Sequence, residues 1–297
     1  MKALRISLLM QHTSAEGLDF YHYTDPLRRD CSIILEGDQM IAVRDSLFGS
    51  PQQCDDTNIR LAVLGDLHGH LTDAYTYLEA WLKLSGRPID AILQVGDIGA
   101  LDDISHIDQV TREIAEKDQQ ELAFRDYYNG SPEADRFLGP EGVFRGIPLI
   151  FIDGNHDDID LLRYRNFDPH YPELSYLESG SALTLSKGKR NVEVGSIGWE
   201  HTHGQLRRYH ELDVLLTHSK LEGSHRNMDK PKYHFFGHSH EEAPGFSDRA
   251  TNSYGLNMLK KLSEDVYRPG SMGVLELGPE SFFYYVPDDL RIDPSFE

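Results

Sequence analysis

The sequence predicts an α/β protein with a largely parallel sheet and its chemistry at the carboxyl ends of the strands. Three observations predict it. From Asn58 onward, short apolar runs alternate with stretches of helical periodicity. Several of those runs stop at a glycine and release Asp, Asn or His directly after it. The 297 residues are enough for one large domain with a small appendage.

Residues 1–57 read as an N-terminal extension. Within it Ile33-Ile34-Leu35 and Met40-Ile41-Ala42-Val43, parted by Glu-Gly-Asp-Gln, predict a β-hairpin, and residues 50–57 a linker. The domain proper spans 58–297. Its first strand, over 59–65, ends in a tight turn within the stretch Leu61-Ala-Val-Leu-Gly-Asp-Leu-His-Gly-His70, where residues two apart at a strand end point the same way, so that Asp66 and His68 can converge on one ion. Leu71, Ala74, Tyr75, Leu78 and Leu82 then fall on one face of a helix over 71–85. A strand over 89–95 runs into Gly96-Asp97. The polar segment from Asp102 to about Asn129 predicts a helix, broken at Asn129-Gly-Ser-Pro132. The strand 147–152 ends in Asp153-Gly-Asn-His-Asp157. Beyond it the spacing predicts strands over 192–197, 213–217, 233–236, 272–277 and 282–286, with polar loops over 201–211, 219–232 and 241–270.

Composition excludes several classes. Hydrophobic content of 39% and charged content of 26% are ordinary for a soluble globular protein. A formal net charge of −20 argues against a nucleic-acid backbone as partner, which needs clustered Lys and Arg. Two cysteines, Cys31 and Cys54, make no disulfide framework, and a reducing, cytoplasmic compartment is the simplest reading. No apolar run approaches the roughly 20 residues needed to span a bilayer, so no membrane association is expected.

The strand-end groups form one set: Asp66, His68, Asp97, Asn155, His156, His218, His238 and His240. A lone strand-end Asp more often caps a helix, and a lone His is usually a polar loop residue. Five such stretches in one chain point instead to metal. Carboxylate, carboxamide and imidazole without thiolate suit Mn, Fe or Zn, whereas Mg and Ca prefer oxygen alone. Seven ligands are too many for one ion and suit two, with a carboxylate between them. Two ions about 3.5–4 Å apart can hold a hydroxide and clamp the attacking and leaving oxygens of a phosphoryl group.

The ordered set Gly-Asp-Leu-His-Gly, Gly-Asp, Gly-Asn-His-Asp, Thr-His and Gly-His-Ser-His, over about residues 59–286, resembles the calcineurin-like metallophosphoesterase superfamily. The resemblance implies a four-layer α/β/β/α sandwich with a dinuclear site at the strand ends. It implies that Asp66, His68 and His240 hold one metal, that Asn155, His218 and His238 hold the other, and that Asp97 bridges. It makes His156 the residue facing the leaving-group oxygen and Asp157 the carboxylate orienting its ring. The expected reaction is metal-dependent phosphoester hydrolysis, with a diester or a small phosphorylated molecule as substrate.

Departures from the relatives narrow the substrate. Gly96-Asp-Ile-Gly-Ala100 lacks the arginine of the Gly-Asp-x-Val-Asp-Arg-Gly seen in protein Ser/Thr phosphatases, which places a phosphodiesterase ahead of a phosphoprotein phosphatase. Arg268-Pro-Gly-Ser-Met-Gly273 looks like the Asn-Pro-Gly-Ser-x-Gly of small bacterial phosphodiesterases, and equally like a turn before a strand. Phe124-Arg-Asp-Tyr-Tyr-Asn-Gly130 with Gly195-Ser-Ile-Gly198 is similar to the RNA lariat debranching branch, which carries Cys where this chain has Asp66. That makes a nucleic-acid diesterase one alternative, and a catalytically silent scaffold of the same fold another. His201 and His203, after Trp199, are candidate phosphate contacts at the edge of the site.

Overall fold

The computed structural model describes residues 7–13, 18–24, 30–36, 39–44, 58–101, 109–164, 167–199, 212–221, 231–240, 246–248, 251–263, 266–279 and 281–286. Strands β1 (Ser7–Thr13), β2 (Leu18–Thr24), β3 (Asp30–Glu36) and β4 (Gln39–Arg44) pair antiparallel, in that order, as a sheet of their own. The two runs expected as a hairpin lie on β3 and β4; the sequence reading has no counterpart for β1 and β2.

The chain then enters β5 (Ile59–Leu64), crosses through α1 (Leu71–Ser85) to β6 (Ala91–Gln94), and passes three short helices, α2 (Gln109–Ala115), α3 (Phe124–Asn129) and α4 (Pro132–Leu138). β7 (Leu149–Phe151), α5 (Ile159–Tyr164) and β8 (Leu174–Tyr176) follow. Next come β9 (Ala182–Lys187), β10 (Arg190–Ile197), β11 (Val214–Thr217), β12 (Tyr233–Phe236), β13 (Phe246–Asp248) and β14 (Thr251–Gly255). A two-stranded ribbon of β15 (Lys261–Ser263) and β16 (Val266–Tyr267) precedes β17 (Met272–Leu277) and β18 (Phe282–Tyr285).

These strands make two six-stranded sheets, β18-β17-β5-β6-β7-β8 and β13-β14-β12-β11-β10-β9. Each has a parallel run of four, β5 to β8 in the first and β10, β11, β12 and β14 in the second. The remaining strands lie antiparallel beside them. Strands buried on both faces read as continuous apolar runs, which is why β5, β6 and β12 were legible.

One core lies between the sheets: Leu61 and Val63 of β5, Leu93 of β6, Val194 of β10, Leu216 of β11, Phe235 of β12 and Leu275 of β17 are all buried there. The alternate residues of β5, Ala62 and Leu64, turn to the other face and pack with Tyr75, Leu78 and Trp81 of α1 and with Phe124 and Phe137. Helix, sheet and sheet are thus three layers of the α/β/β/α arrangement. The outer face of the second sheet carries a small cluster of Ile197, Leu212 and Leu215. The crossovers that parallel β10, β11 and β12 require run through residues 200–211 and 222–230, outside the described residues. Among the described residues no helix is long and apolar enough to cross a membrane.

Two expectations need correction. The helix read over 102–129 is not continuous: α2 stops at Ala115, and the Asp118 side chain accepts the Gln120 N–H to start a separate 3-10 turn, Gln119–Leu122, before α3. The loop expected over 241–270 contains four strands; β14 alternates buried and half-buried residues but is built from Thr, Asn, Ser and Tyr, so it lacks an apolar signature.

A buried charge cluster pins the first sheet. Glu276 of β17 stands opposite Arg60 of β5, accepts a 2.5 Å hydrogen bond from Arg87 Nη1, and lies 3.4 Å from Arg60 Nε. All three are buried. Removing the shared carboxylate takes the anionic partner away from two buried guanidinium groups. We expect Glu276→Ala to lower unfolding free energy by about 3–5 kcal/mol, read from urea midpoints. An unchanged midpoint would show that the cluster contributes nothing.

Candidate metal centre

The site is built where the carboxyl ends of the two parallel runs meet. β5 delivers Asp66 and His68, β6 delivers Asp97, and β7 delivers Asn155 and His156. From the other sheet β11 delivers His218, and β12 delivers His238 and His240. The ends of β5 in one sheet and β12 in the other face each other, so His68 and His240, 172 residues apart, come into contact.

Asp66, His68, Asp97 and His240 each place a donor atom within 4.8 Å of the others. His68 Nε2 lies 3.3 Å from His240 Nε2, and His240 Nε2 lies 3.0 Å from Asp66 Oδ2. A second group adjoins it. Asn155 Oδ1 sits 2.9 Å from both His218 Nε2 and His238 Nδ1. Asp97 stands between the two groups: its Oδ2 is 3.8 Å from His68 Nε2 and 3.4 Å from His218 Nε2. That oxygen is buried and accepts no hydrogen bond, while Oδ1 accepts the His156 N–H at 2.7 Å. A buried carboxylate oxygen without a donor is costly, and a cation is the partner such an atom needs.

Burial would raise the Asp97 carboxyl, but His218 and His68 beside it hold it down to about 2. Burial would lower His218, but the Asp97 carboxylate pushes it up to about 9. Burial pushes His68 down to about 4, so its ring is a neutral donor at neutral pH. His218 Nδ1 donates to the Val95 carbonyl at 3.0 Å, which turns Nε2 toward Asn155 Oδ1, 2.9 Å away, and Asp97; the proton the charged ring carries on Nε2 occupies the place a cation would take. His240 is raised chiefly by its hydrogen bond to Asp66.

Local backbone explains the glycines ahead of several of these groups. A Cβ on Gly237 would lie 2.0 Å from Asp66 Oδ1, and one on Gly154 2.1 Å from Asp97 Oδ1. No side chain fits where the carboxylates of one strand end press on the backbone of the next. Four non-glycine residues among those described have positive φ: His68 at 44°, Asp97 at 55°, His238 at 65° and His240 at 49°. All four belong to this cluster.

A profile of the calcineurin-like phosphoesterases matches residues 59–242, more than half of the chain. The chain belongs to the calcineurin-like phosphoesterase family. It is a phosphoester hydrolase, and the hydrolysis typical of its family is metal-dependent. No curated protein matches its sequence. Two solved structures are similar to this phosphoesterase. One is a conserved protein of Streptococcus pneumoniae described as a predicted phosphoesterase, 13% identical, with 80% of this chain and 94% of that one covered at a TM-score of 0.35. The other is a phosphatase from Mycoplasma pneumoniae, 10% identical, with 80% and 96% covered at a TM-score of 0.42.

The phosphoesterase departs from expectation at Asp157. Its carboxylate does not orient the His156 ring. Oδ1 accepts the N–H groups of Gly99 and Ala100, and Oδ2 those of Asp97 and Gly154, all at 2.8–3.0 Å. With all four amides satisfied there, Asp157 ties the Asp97 loop to the Asn155 loop. Burial and the Asp97 charge push its carboxyl up, against the amides that hold it ionised. The His156 ring is met instead by Thr111 of α2, with Oγ1 3.0 Å from Nδ1. Thr111 is buried, as is Ala115 one turn on, while Arg112 and Glu113 between them are exposed. Nothing in the sequence marked it, since it lies 45 residues from His156 within a polar helix. The His156 ring centroid is 5.1 Å from that of His68, at the edge of the cluster. His201 and His203 lie outside the described residues.

Proposed function

We propose that this phosphoesterase is a two-metal phosphodiesterase acting on a small diester or phosphorylated molecule, with residues 58–297 carrying the reaction and residues 1–57 a separate extension. The reading is carried by Asp97 Oδ2, buried and without a hydrogen-bond donor between two groups of ring nitrogens. Asp66, His68 and His240 would hold one ion, Asn155, His218 and His238 the other, and Asp97 both. The mixed nitrogen and oxygen donors suit Mn, Fe or Zn. Such ions, when bound, neutralise phosphate charge and acidify water.

The chain's own part is positioning and proton transfer. Asp66 and Asp97 fix the ring nitrogens around them, and Asp157 holds two of the loops in register. His156, steadied at Nδ1 by Thr111, would donate a proton from Nε2 to the departing alkoxide as the P–O bond breaks. The missing arginine after Gly96-Asp97 favours a diester, whose single phosphate charge asks for fewer cationic contacts than a monoester. The net charge of −20 counts against nucleic acid, and the filled ligand positions count against a silent scaffold. With two cysteines in the chain, we place the protein in a cytoplasmic, reducing setting.

The test is hydrolysis of bis-p-nitrophenyl phosphate and p-nitrophenyl phosphate by protein stripped of metal and given Mn²⁺ back. We expect activity only with metal, and more on the diester. Faster monoester hydrolysis would overturn the diesterase reading, and equal rates before and after stripping would overturn the metal reading.

A further inference from the structure

We propose that Trp199 is a stacking platform at the site, and that the natural substrate is a phosphoester carrying a planar aromatic ring, of which a nucleobase is the usual biological form. This deepens the reading above and rests on it. Trp199 follows β10 at the same end of the second sheet that delivers His218 and His238. Its ring centroid lies 4.7 Å from that of His238, tilted by 42°, and 5.8 Å from that of His218, edge-on at 75°. Both imidazoles belong to the second ligand group, so an aromatic ring against the open indole would sit one residue's width from the phosphate.

The indole is 44% exposed. Among the described residues the other exposed large hydrophobics are Val143 and Leu262, neither of them aromatic. Leaving an indole in water is unfavourable, and this one is not a loosely held surface residue. The backbone beneath it is pinned: the Trp199 main-chain N–H donates to Asp153 Oδ2 at 3.1 Å, and the preceding Gly198 N–H donates to Ser179 Oγ at 3.0 Å. Asp153 is itself fully buried and clamped by Arg163 and by the Tyr176 hydroxyl at 2.7 Å. A large aromatic face held rigidly at a phosphate site is the arrangement that binds bases without reading their edges.

The test uses the full chain loaded with Mn²⁺ and two ligands without a scissile ester, the phosphonate analogue of adenosine 5′-monophosphate and methylphosphonate. The chain has two tryptophans, and Trp81 is buried in the helix-facing core, so ligand quenching of indole fluorescence reports Trp199. We expect the adenosine phosphonate to quench and to bind at least about tenfold more tightly than methylphosphonate. Trp199→Leu should abolish the quench and about tenfold of that affinity while leaving methylphosphonate unchanged, and Trp199→Phe should retain part of the affinity. Equal loss for both ligands would mean that Trp199 only supports His238, and equal affinity for both in the wild type would overturn the platform outright. Absence of Mn²⁺-dependent diester hydrolysis would overturn the underlying function instead, so the two failures are told apart.

Discussion

Asp97→Asn is expected to reduce kcat/KM on bis-p-nitrophenyl phosphate by at least about 10³-fold, equivalent to ~4 kcal/mol of transition-state stabilisation. The substitution keeps the shape and the contact of Oδ1 with the His156 N–H, and removes only the charge. That charge faces His218 at 3.4 Å and His68 at 3.8 Å, one ring from each ligand group. A neutral carboxamide there cannot serve two cations at once, so bound metal measured by mass spectrometry should fall below the wild-type ratio together with activity. A variant with wild-type metal content and wild-type turnover would remove Asp97 from the centre of the site. The circular dichroism spectrum separates this outcome from misfolding, because Asp97 sits beyond the end of β6 rather than within the sheet.

His156→Gln should behave differently. The His156 ring stands at the edge of the cluster, 5.1 Å from the His68 ring between centroids, and meets Thr111, while its contact with Asp97 is made by the backbone N–H, which the substitution keeps. Metal content should therefore stay at the wild-type level. Turnover should depend on the leaving group: little changed for p-nitrophenolate, which departs without a proton, and lowered about 10²–10⁴-fold for an alkoxide. The measurement is the slope of log kcat/KM against leaving-group pKa, which should steepen in the variant. Parallel lines for wild type and variant would mean that His156 transfers no proton.

Much of this was readable in the sequence, for physical reasons that differ by element. β5, β12 and β17 are short strands buried at every position, so each is a mostly apolar run, broken once by Arg60, His234 and Glu276 respectively. α1 spans the residues its periodicity marks, because one face packs on the first sheet while the other meets solvent. Asp66, His68, Asp97 and His240, which the structure brings together, were legible because glycines required by close approach stand ahead of Asp66, Asp97 and His238, leaving a repeated local pattern. What was not legible depends on contacts with no local trace. Thr111 meets His156 only because α2 is carried over the site by the connection between β6 and β7. Asp157 looked like a partner for its neighbour His156, yet four backbone amides from two loops claim both its oxygens. Trp199 could be seen as a residue after a strand; its 4.7 Å approach to His238 could not.

The left-handed backbone at His68, Asp97, His238 and His240 has a consequence for how such a protein persists. Each non-glycine residue held there costs about 1 kcal/mol, so the four together cost on the order of 4 kcal/mol, a sizeable part of the ~5–15 kcal/mol by which a domain is folded. Glycine would relieve each of them at a stroke. A lineage under pressure for robustness alone would drift toward glycine at these very positions and lose its imidazoles and its central carboxylate on the way. With side chains at all four, the fold bears this cost at the one place where its imidazoles and central carboxylate converge.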